Sequence, residues 1–274
     1  MQILSPPLRL QRAQGRAEVA MTRARDATRL RRLYQQGCAK ALLPRVHGGT
    51  PEAVLINTSG GITGGDRLDY GVVLDPGAAL TVTTQAAERV YRSSGGVGSV
   101  SVELALGAGA RLDWLPQETI LFEGGRLARR LAAEVAADAE LTVLESVVLG
   151  RAAMGETLAD ATLTDHWRLR RDGRLVHAEA LRLGPDIAAA TAGRATLGGA
   201  RAFATLVHLA PAAQDRLDQA RALIDGIGVA AAASARPGVL ILRFLAPDAA
   251  PLRAALFRFL MAFRGAPLPR VWSL

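Results

Sequence analysis

Short runs of alternating apolar residues recur about every ten residues through the first two thirds of the chain, with glycine-containing turns between them. In residues 99–106, four apolar side chains fall on one side, which is the period of a half-buried β-strand. Similar signals occur at residues 16–23, 53–57, 68–74, 79–84, 127–136, 141–149, 163–170 and 174–183. Many short strands at regular spacing favour a sandwich, a barrel or a β-helix, and periodicity alone does not choose among them.

The last third of the chain has a different pattern. Residues 212–227 and 248–263 carry apolar side chains at helical spacing, on either side of an apolar run at 239–245. Asp248 is placed to cap the second helix and Gly265 to end it. We therefore predict a mainly β fold with two helices in the C-terminal third. Without a Pro/Ser-rich linker, one domain over residues 1–274 is expected, with residues 1–15 as a flexible N-terminal segment.

The positive charge of the chain is confined to its N-terminal segment. The net charge is +8, and the first 45 residues hold ten basic and two acidic side chains, whereas the other 229 residues hold 23 of each. Such a segment is able to contact phosphates, so a nucleic-acid-binding module is one alternative. Aromatic residues make up only 4%, and no nucleic-acid-binding motif is visible. We therefore expect no nucleic acid as a partner. Two roles remain for the arginines, namely steering an acidic protein partner and solvating the early strands.

Enzyme motifs are missing from the sequence. The glycine-rich run at residues 60–67 lacks the Lys-Ser/Thr of a phosphate loop, and Asp66 stands where a cation would be wanted. There is neither a G-x-S-x-G nor an H-E-x-x-H pattern. The four histidines and the single cysteine offer few ligands for a tight metal site. One alternative left open is a β-rich hydrolase whose site is assembled from His166, His177 and scattered acids.

Two features bear on the compartment. Cys38 is the only cysteine, which excludes a disulfide framework and makes a reducing cytoplasm the expected location. No apolar run approaches the ~20 residues that span a bilayer, and the first residues lack the apolar region of a signal peptide. The sequence therefore predicts a cytoplasmic protein with no membrane partner.

Four stretches carry a more specific signal. They are NTSGGITGGDRL at residues 57–68, TTQAAERVYRS at 83–93, WLPQETI at 114–120, and LGR at 149–151 followed by GE at 155–156. Supporting pieces are LYQ at 33–35, LPR at 43–45 and LPRVW at 268–272. In this order, from about residue 16 to the end, the chain resembles the UreD (UreH) family of urease accessory proteins.

The resemblance implies a β-helix-like scaffold with two helices and no catalysis. UreD-like proteins bind apo-urease and UreF, which recruits the GTPase UreG, and together they deliver nickel to the urease active site. A tunnel through the UreD-like subunit is the proposed route. The resemblance therefore implies no tightly bound cofactor, only nickel in transit. Sparse carboxylates suit such transit, because clustered imidazole and thiolate ligands would hold nickel too tightly.

Motif matching selects candidate residues for each role. The candidates for nickel passage are Asp66, Glu88, Glu145 and Glu179. Asp66 has the alternative of stapling its own loop, and Glu88 departs from the small or hydroxyl residue usual in the family. The motif residues expected to shape the scaffold are Gly60, Gly61, Gly64, Gly65, Thr84, Gln85, Tyr91, Arg92, Trp114, Pro116, Gln117, Glu118, Gly150, Arg151 and Glu156.

The C-terminal end is a candidate docking site for UreF. Arg270 and Trp272 are the candidate contacts, because arginine and tryptophan are typical of interface hot spots. The alternative is that the C-terminal helices cover an open edge of the sheet.

Overall fold

The protein is described by a computed structural model that covers residues 11–46 and 49–273. The strands in these ranges are β1 (Gln14–Ala24), β2 (Ala27–Gly37), β3 (Ala39–Leu42), β4 (Glu52–Asn57), β5 (Arg67–Leu74), β6 (Ala79–Thr84), β7 (Glu88–Val90), β8 (Gly98–Leu106), β9 (Arg111–Trp114), β10 (Thr119–Leu121), β11 (Arg126–Val135), β12 (Glu140–Leu149), β13 (Thr162–Arg171), β14 (Arg174–Leu183), β15 (Ala202–Leu209), β16 (Ala230–Arg236) and β17 (Val239–Ala246). The α-helices are α1 (Ile187–Thr191), α2 (Leu217–Ile224) and α3 (Ala249–Arg264).

The strands form two sheets, and the chain alternates between them. Sheet A has the order β14-β13-β11-β8-β5-β1-β2, and sheet B has the order β16-β17-β15-β12-β9-β6-β4-β3. From β4 to β13 the neighbours within each sheet are parallel, because each coil adds one strand to each sheet. The short strands β7 and β10 form a third parallel row with the end of β12. This arrangement confirms the β-helix-like fold.

Successive coils of the β-helix stack on one another through equivalent turns. Ala78, Ala110 and Ala139 are fully buried at equivalent turns between sheet A and sheet B. The Arg111 N–H donates to the Ala78 carbonyl, and the Glu140 N–H donates to the Ala110 carbonyl, both at 2.9 Å. Each turn therefore satisfies the backbone of the next. Along the strands the apolar residues alternate inward and form the core between the sheets.

A second core lies on the other side of sheet B. Asp248 caps α3 by accepting the Ala249 N–H at 2.7 Å, and Gly265 ends the helix in a left-handed conformation, as the sequence predicts. The buried face of α3 packs on sheet B, where the Phe259 and Phe244 rings lie 5.5 Å apart. Sheet B is thus covered on both faces, whereas the outer face of sheet A carries exposed side chains such as His166.

The structure differs from the sequence predictions at several elements. It adds the strands β2, β3, β7, β9, β10, β15 and β16 and the short helix α1. Only residues 217–224 of the predicted helix 212–227 are α-helical, after a 3₁₀ turn at Ala213–Arg216. β2 gave no alternating signal because it lies at the edge of sheet A with no fully buried residue. Of the segment predicted to be flexible, residues 1–10 lie outside the described part, and Gln14 and Gly15 already belong to β1. None of the helices in the described ranges is long and apolar enough to cross a membrane.

Candidate functional site

The glycine-rich loop between β4 and β5 is closed by Asp66. This carboxylate is buried, and its oxygens accept the N–H groups of Ala13 and Thr63, each at 2.8 Å. Asp66 therefore ties the loop to the residues that lead into β1. Its position fits the loop-stapling alternative, because both of its oxygens already have donors.

The glycines of this loop allow it to pack against the segment that follows β7. A side chain at Gly61 would place its Cβ 2.3 Å from the ring of Tyr91, and one at Gly64 would place it 1.9 Å from the Ser93 hydroxyl. Gly60 and Gly65 adopt positive φ angles in the same loop. Glycine at these positions thus allows the loop to approach residues 91–96 closely.

Glu88 faces the interior of the solenoid. It pairs in register with Thr119 of β10, which in turn pairs with Val147 of β12 in the core between the sheets. The Asn57 amide donates to both carboxylate oxygens, at 3.1 and 3.2 Å. Burial raises the pKa of Glu88 to about 7, although the hydrogen bond from Asn57 opposes this shift. Glu88 is thus an interior carboxyl group that titrates near neutral pH.

A buried charge cluster lies at the centre of the interior. Arg129 and Asp165 are register partners on β11 and β13 of sheet A, and Glu145 reaches them from β12 of sheet B. One guanidinium nitrogen of Arg129 contacts Glu145, and the other contacts Asp165 at 2.5 Å. The indole N–H groups of Trp114 and Trp167 donate to the remaining carboxylate oxygens, each at 2.9 Å. Arg129 also donates to the hydroxyl of Thr119 at 3.2 Å.

The electrostatics of this cluster reflect its burial. Burial raises the pKa of Glu145, and the charge of Arg129 only partly opposes that shift. Burial lowers the pKa of Arg129, but the charges of Asp165 and Glu145 outweigh it, so the net shift is upward. Arg129 is therefore cationic, while the raised pKa of Glu145 makes its charged form less favourable.

Glu179 lines the same cavity as this cluster. The cavity has a volume of about 230 Å³, and Arg129, Glu145, Asp165 and Glu179 all contribute to its wall. The Arg243 guanidinium lies 2.5 Å from Glu179, and His177 Nε2 lies 3.2 Å from it. Burial raises the pKa of Glu179, but the hydrogen bonds from His177 and Arg243 outweigh it and lower the pKa. Glu179 is thus held in its charged form beside the cavity.

Together these side chains form a line along the inside of the solenoid, which we name the interior polar row. Its members are Asn57, Glu88, Thr119, Arg129, Glu145, Asp165 and Glu179. Three of the four predicted passage residues belong to it, and Asp66 lies outside it. In the described ranges, no three His, Cys, Asp or Glu side chains are close enough together to hold a metal ion.

Sequence reasoning missed Arg129 and Asp165, although a signal for both was present. Arg129 lies between Leu127 and Leu131, at an inward position of an alternating strand. Asp165 occupies the equivalent position before Trp167 on β13. A charged residue at an apolar position of a strand is expected to have a charged partner inside, and that rule would have found this pair.

The C-terminal residues are clamped onto the scaffold. Arg253 of α3 contacts Gln117 and Glu118, and it donates to the carbonyl of Trp272 at 3.0 Å. Trp272 itself is buried, and its indole N–H donates at 3.2 Å to a threonine hydroxyl in β6. Trp272 therefore anchors the chain internally and offers no surface to a partner in this conformation. Arg270 is exposed, and its predicted role in partner binding stays a prediction.

A second set of motif residues forms a corner near the end of β12. The ring of Tyr91 packs edge-on against Phe122 at 5.3 Å, and the Arg151 guanidinium lies 4.5 Å from the centre of the same Phe122 ring. Arg151 donates to both oxygens of Glu156, at 2.9 and 3.1 Å, and these bonds lower the pKa of Glu156. The other motif residues lie at strand ends or in connecting segments: Thr84, Gln85, Arg92, Pro116 and Gly150.

The described histidines do not come together. His166 is exposed on the outer face of β13, whereas His177 is buried between the sheets. His208 lies on the helix side of sheet B, where burial lowers its pKa to about 4. His47 lies outside the described residues. The hydrolase alternative built on His166 and His177 is therefore wrong in its geometry, because the two side chains point to opposite faces of one sheet.

The titration of Glu88 leads to a testable dependence on pH. Its pKa rises from 4.5 to about 7 on folding, so the folded chain is stabilised at low pH and loses stability as the pH rises towards 7. Glu88→Gln keeps an acceptor for Asn57 and is expected to remove this decline. Urea unfolding at pH 5, 6, 7 and 8 measures the effect. Glu103→Gln, at an exposed carboxylate, is the control and should follow the wild type; parallel curves for all three proteins would contradict the prediction.

The fold and its interior define a β-solenoid scaffold protein with a buried line of charged and polar side chains. Residues 13–273 match the family model described as the UreD urease accessory protein. The chain is 52% identical over 271 residues to the urease accessory protein UreD of Methylobacterium sp. strain 4-46, covering 97% of this chain and 96% of the relative. It is 54% identical over 273 residues to that of Dinoroseobacter shibae, with 99% and 95% covered. The chain therefore belongs to the UreD family of urease accessory proteins.

Proposed function

We propose that this protein helps to deliver nickel to urease and catalyses no reaction itself. In this proposal it binds apo-urease and UreF, and UreF brings the GTPase UreG. Membership of the UreD family supports a role as a urease accessory protein. The observation that carries it is the interior polar row, which leads from Glu88 through Glu145 to Glu179 inside the solenoid.

The chemistry of the row suits transit rather than storage. Its oxygen donors are carboxylates and a hydroxyl, which bind nickel more weakly than imidazole or thiolate do. The cavity of about 230 Å³ beside Glu145 and Glu179 has room for hydrated ions. Nickel is therefore a cargo in this proposal, and no cofactor is bound tightly.

The surfaces that meet the partners are proposed from exposure and charge. Arg253 holds the last residues against the scaffold, so the exposed Arg270 is presented at a fixed place for UreF. The exposed arginines of β2, including Arg29, Arg31 and Arg32, fit an acidic protein surface. The proposal places the protein in the cytoplasm, without nucleic acid or membrane as a partner.

The test is urease activation in cells with limiting nickel. Deleting the chain is expected to leave urease with little nickel, and Glu145→Gln is expected to lower the nickel content of urease while the complex with UreF still forms. Glu103→Gln, at an exposed ion pair with Arg130, is the control and should behave as the wild type. Metal analysis of purified urease and co-purification with UreF supply the two measurements.

Two results would contradict the proposal. Fully loaded urease in the deletion strain would remove the accessory role of this chain. Normal loading with Glu145→Gln would remove that residue from the route and leave only a scaffolding role.

A further inference from the structure

Arg129 lies inside the solenoid between two buried carboxylates. Its two terminal nitrogens contact carboxylates that come from opposite sheets, Glu145 and Asp165. All three side chains are at least nine-tenths buried. One planar guanidinium therefore bridges two carboxylates that come from opposite sheets. The fold thus builds a two-carboxylate cradle around a resident cation.

The charges around the cavity do not balance. Its wall carries two arginines, Arg129 and Arg243, against three carboxylates, Glu145, Asp165 and Glu179. A buried excess of negative charge is unfavourable unless a proton or a further cation compensates it. Burial is the main cause of the raised pKa of Glu145, and the neighbouring charge of Asp165 adds to it. The cavity is therefore a place that attracts cations in addition to the one it holds.

Arg129 is also incompletely bonded. Its Nε is buried and has no hydrogen-bond partner among the described residues, although both of its terminal nitrogens make hydrogen bonds. An unpartnered buried N–H is costly, so this position is less favourable for Arg129 than its ion pairs alone suggest. The adjoining cavity of about 230 Å³ offers space into which the side chain is able to withdraw.

We propose that Arg129 is an internal counter-cation that a divalent metal ion displaces from Glu145 and Asp165 as it crosses the interior, so that Arg129 keeps the metal from being retained. The guanidinium competes for the same oxygens and returns when the metal leaves. In this proposal Arg129 does not bind the metal itself but competes with it. Asp165 contacts the metal together with Glu145. This inference rests on the proposed nickel route, although its test uses the purified chain alone.

The test measures how long the full-length chain retains nickel. The protein is loaded with nickel alone and passed into excess chelator, and the bound metal is followed with time. Arg129→Met is expected to retain one further nickel per chain and to release it about tenfold more slowly than the wild type. Adding Glu145→Gln to that variant should remove the gain. Arg126→Met, on the same strand but in an exposed pair with Asp160, is the control and should match the wild type.

A second variant keeps the test decisive if Arg129→Met does not fold. Arg129→Lys preserves the charge, but its single ammonium lacks the planar pair of nitrogens that holds both carboxylates. Retention is therefore expected to lie between those of the wild type and the methionine variant. Equal retention by Arg129→Lys and the wild type would overturn the inference, as would equal retention by a folded Arg129→Met.

The outcome is separable from that of the proposed function. If deletion of the chain prevents nickel loading of urease but the Arg129 variants release nickel as the wild type does, the inference fails and the delivery role stands. If the variants retain nickel but deletion leaves urease loaded, the metal cradle is real and the delivery role fails.

Discussion

Replacing Trp167 with alanine is expected to lower the free energy of unfolding by about 4 kcal/mol. Trp167 is only 2% exposed and is the largest of the fully buried side chains in the described ranges. Its removal leaves a large cavity in the core. β13 is paired with β11 and β14, so its backbone has little freedom to close that cavity. It also removes the indole N–H that donates to Asp165 at 2.9 Å, so a carboxylate oxygen of the buried charge cluster loses its donor.

A matched variant separates the two contributions. Trp167→Phe keeps an aromatic ring in the core and removes the N–H, so a loss of about 1–2 kcal/mol is expected. Urea unfolding at pH 7 measures both variants. A loss below about 1 kcal/mol for the alanine variant would show that the core collapses around the missing ring, contrary to the packing described here.

Replacing Gly64 with alanine is expected to cost about 3 kcal/mol of stability. The new Cβ would lie 1.9 Å from the Ser93 hydroxyl, 2.4 Å from the Gly95 carbonyl oxygen and 2.6 Å from that of Gly96. The Ser93 hydroxyl donates to the Gly96 carbonyl at 2.9 Å and accepts the Gly95 N–H at 3.0 Å, so rotating it away would break both bonds. The two carbonyls belong to the same backbone segment, which the bond from the Gly65 N–H to the Val97 carbonyl, at 3.1 Å, holds against the loop.

Gly60 provides the control in the same loop. A Cβ at Gly60 would meet no atom within 4 Å, so only its positive φ of 79° opposes a side chain. Gly60→Ala is therefore expected to cost about 1 kcal/mol. Thermal or urea unfolding compares the two variants, and equal losses at Gly60 and Gly64 would contradict the close packing of the loop against residues 93–96.

The sequence predicts the strands that have one buried face, because their apolar and polar residues alternate. The alternation at residues 99–106 corresponds to β8, and the runs at 127–136 and 163–170 correspond to β11 and β13. β2 is not predicted, because an edge strand without a buried face has no alternation of apolar and polar residues. The choice of a β-helix over a sandwich or a barrel depended on the family resemblance, since periodicity says nothing about which strands pair.

The candidate site was predicted in part. Glu88, Glu145 and Glu179 were selected by motif matching, and the structure places all three along one interior line. Arg129 and Asp165 belong to no quoted motif, so they were missed although they complete the cluster around Glu145. Trp272 is a candidate partner contact by sequence and is buried in the structure, because a tryptophan near a chain end has the same sequence signal in either place.

The sequence by itself determined which side of each strand is apolar, where the turns fall, how α3 begins and ends, and to which family the motifs point. Those properties follow from local chemistry, namely side-chain alternation, glycine conformation and helix capping. Only the tertiary structure decided that Arg129 and Asp165 are neighbours and that Glu145 meets them from the other sheet. The physical reason is that strand pairing and sheet packing join residues distant in the chain, and a buried charge acquires its partners only when those surfaces come together.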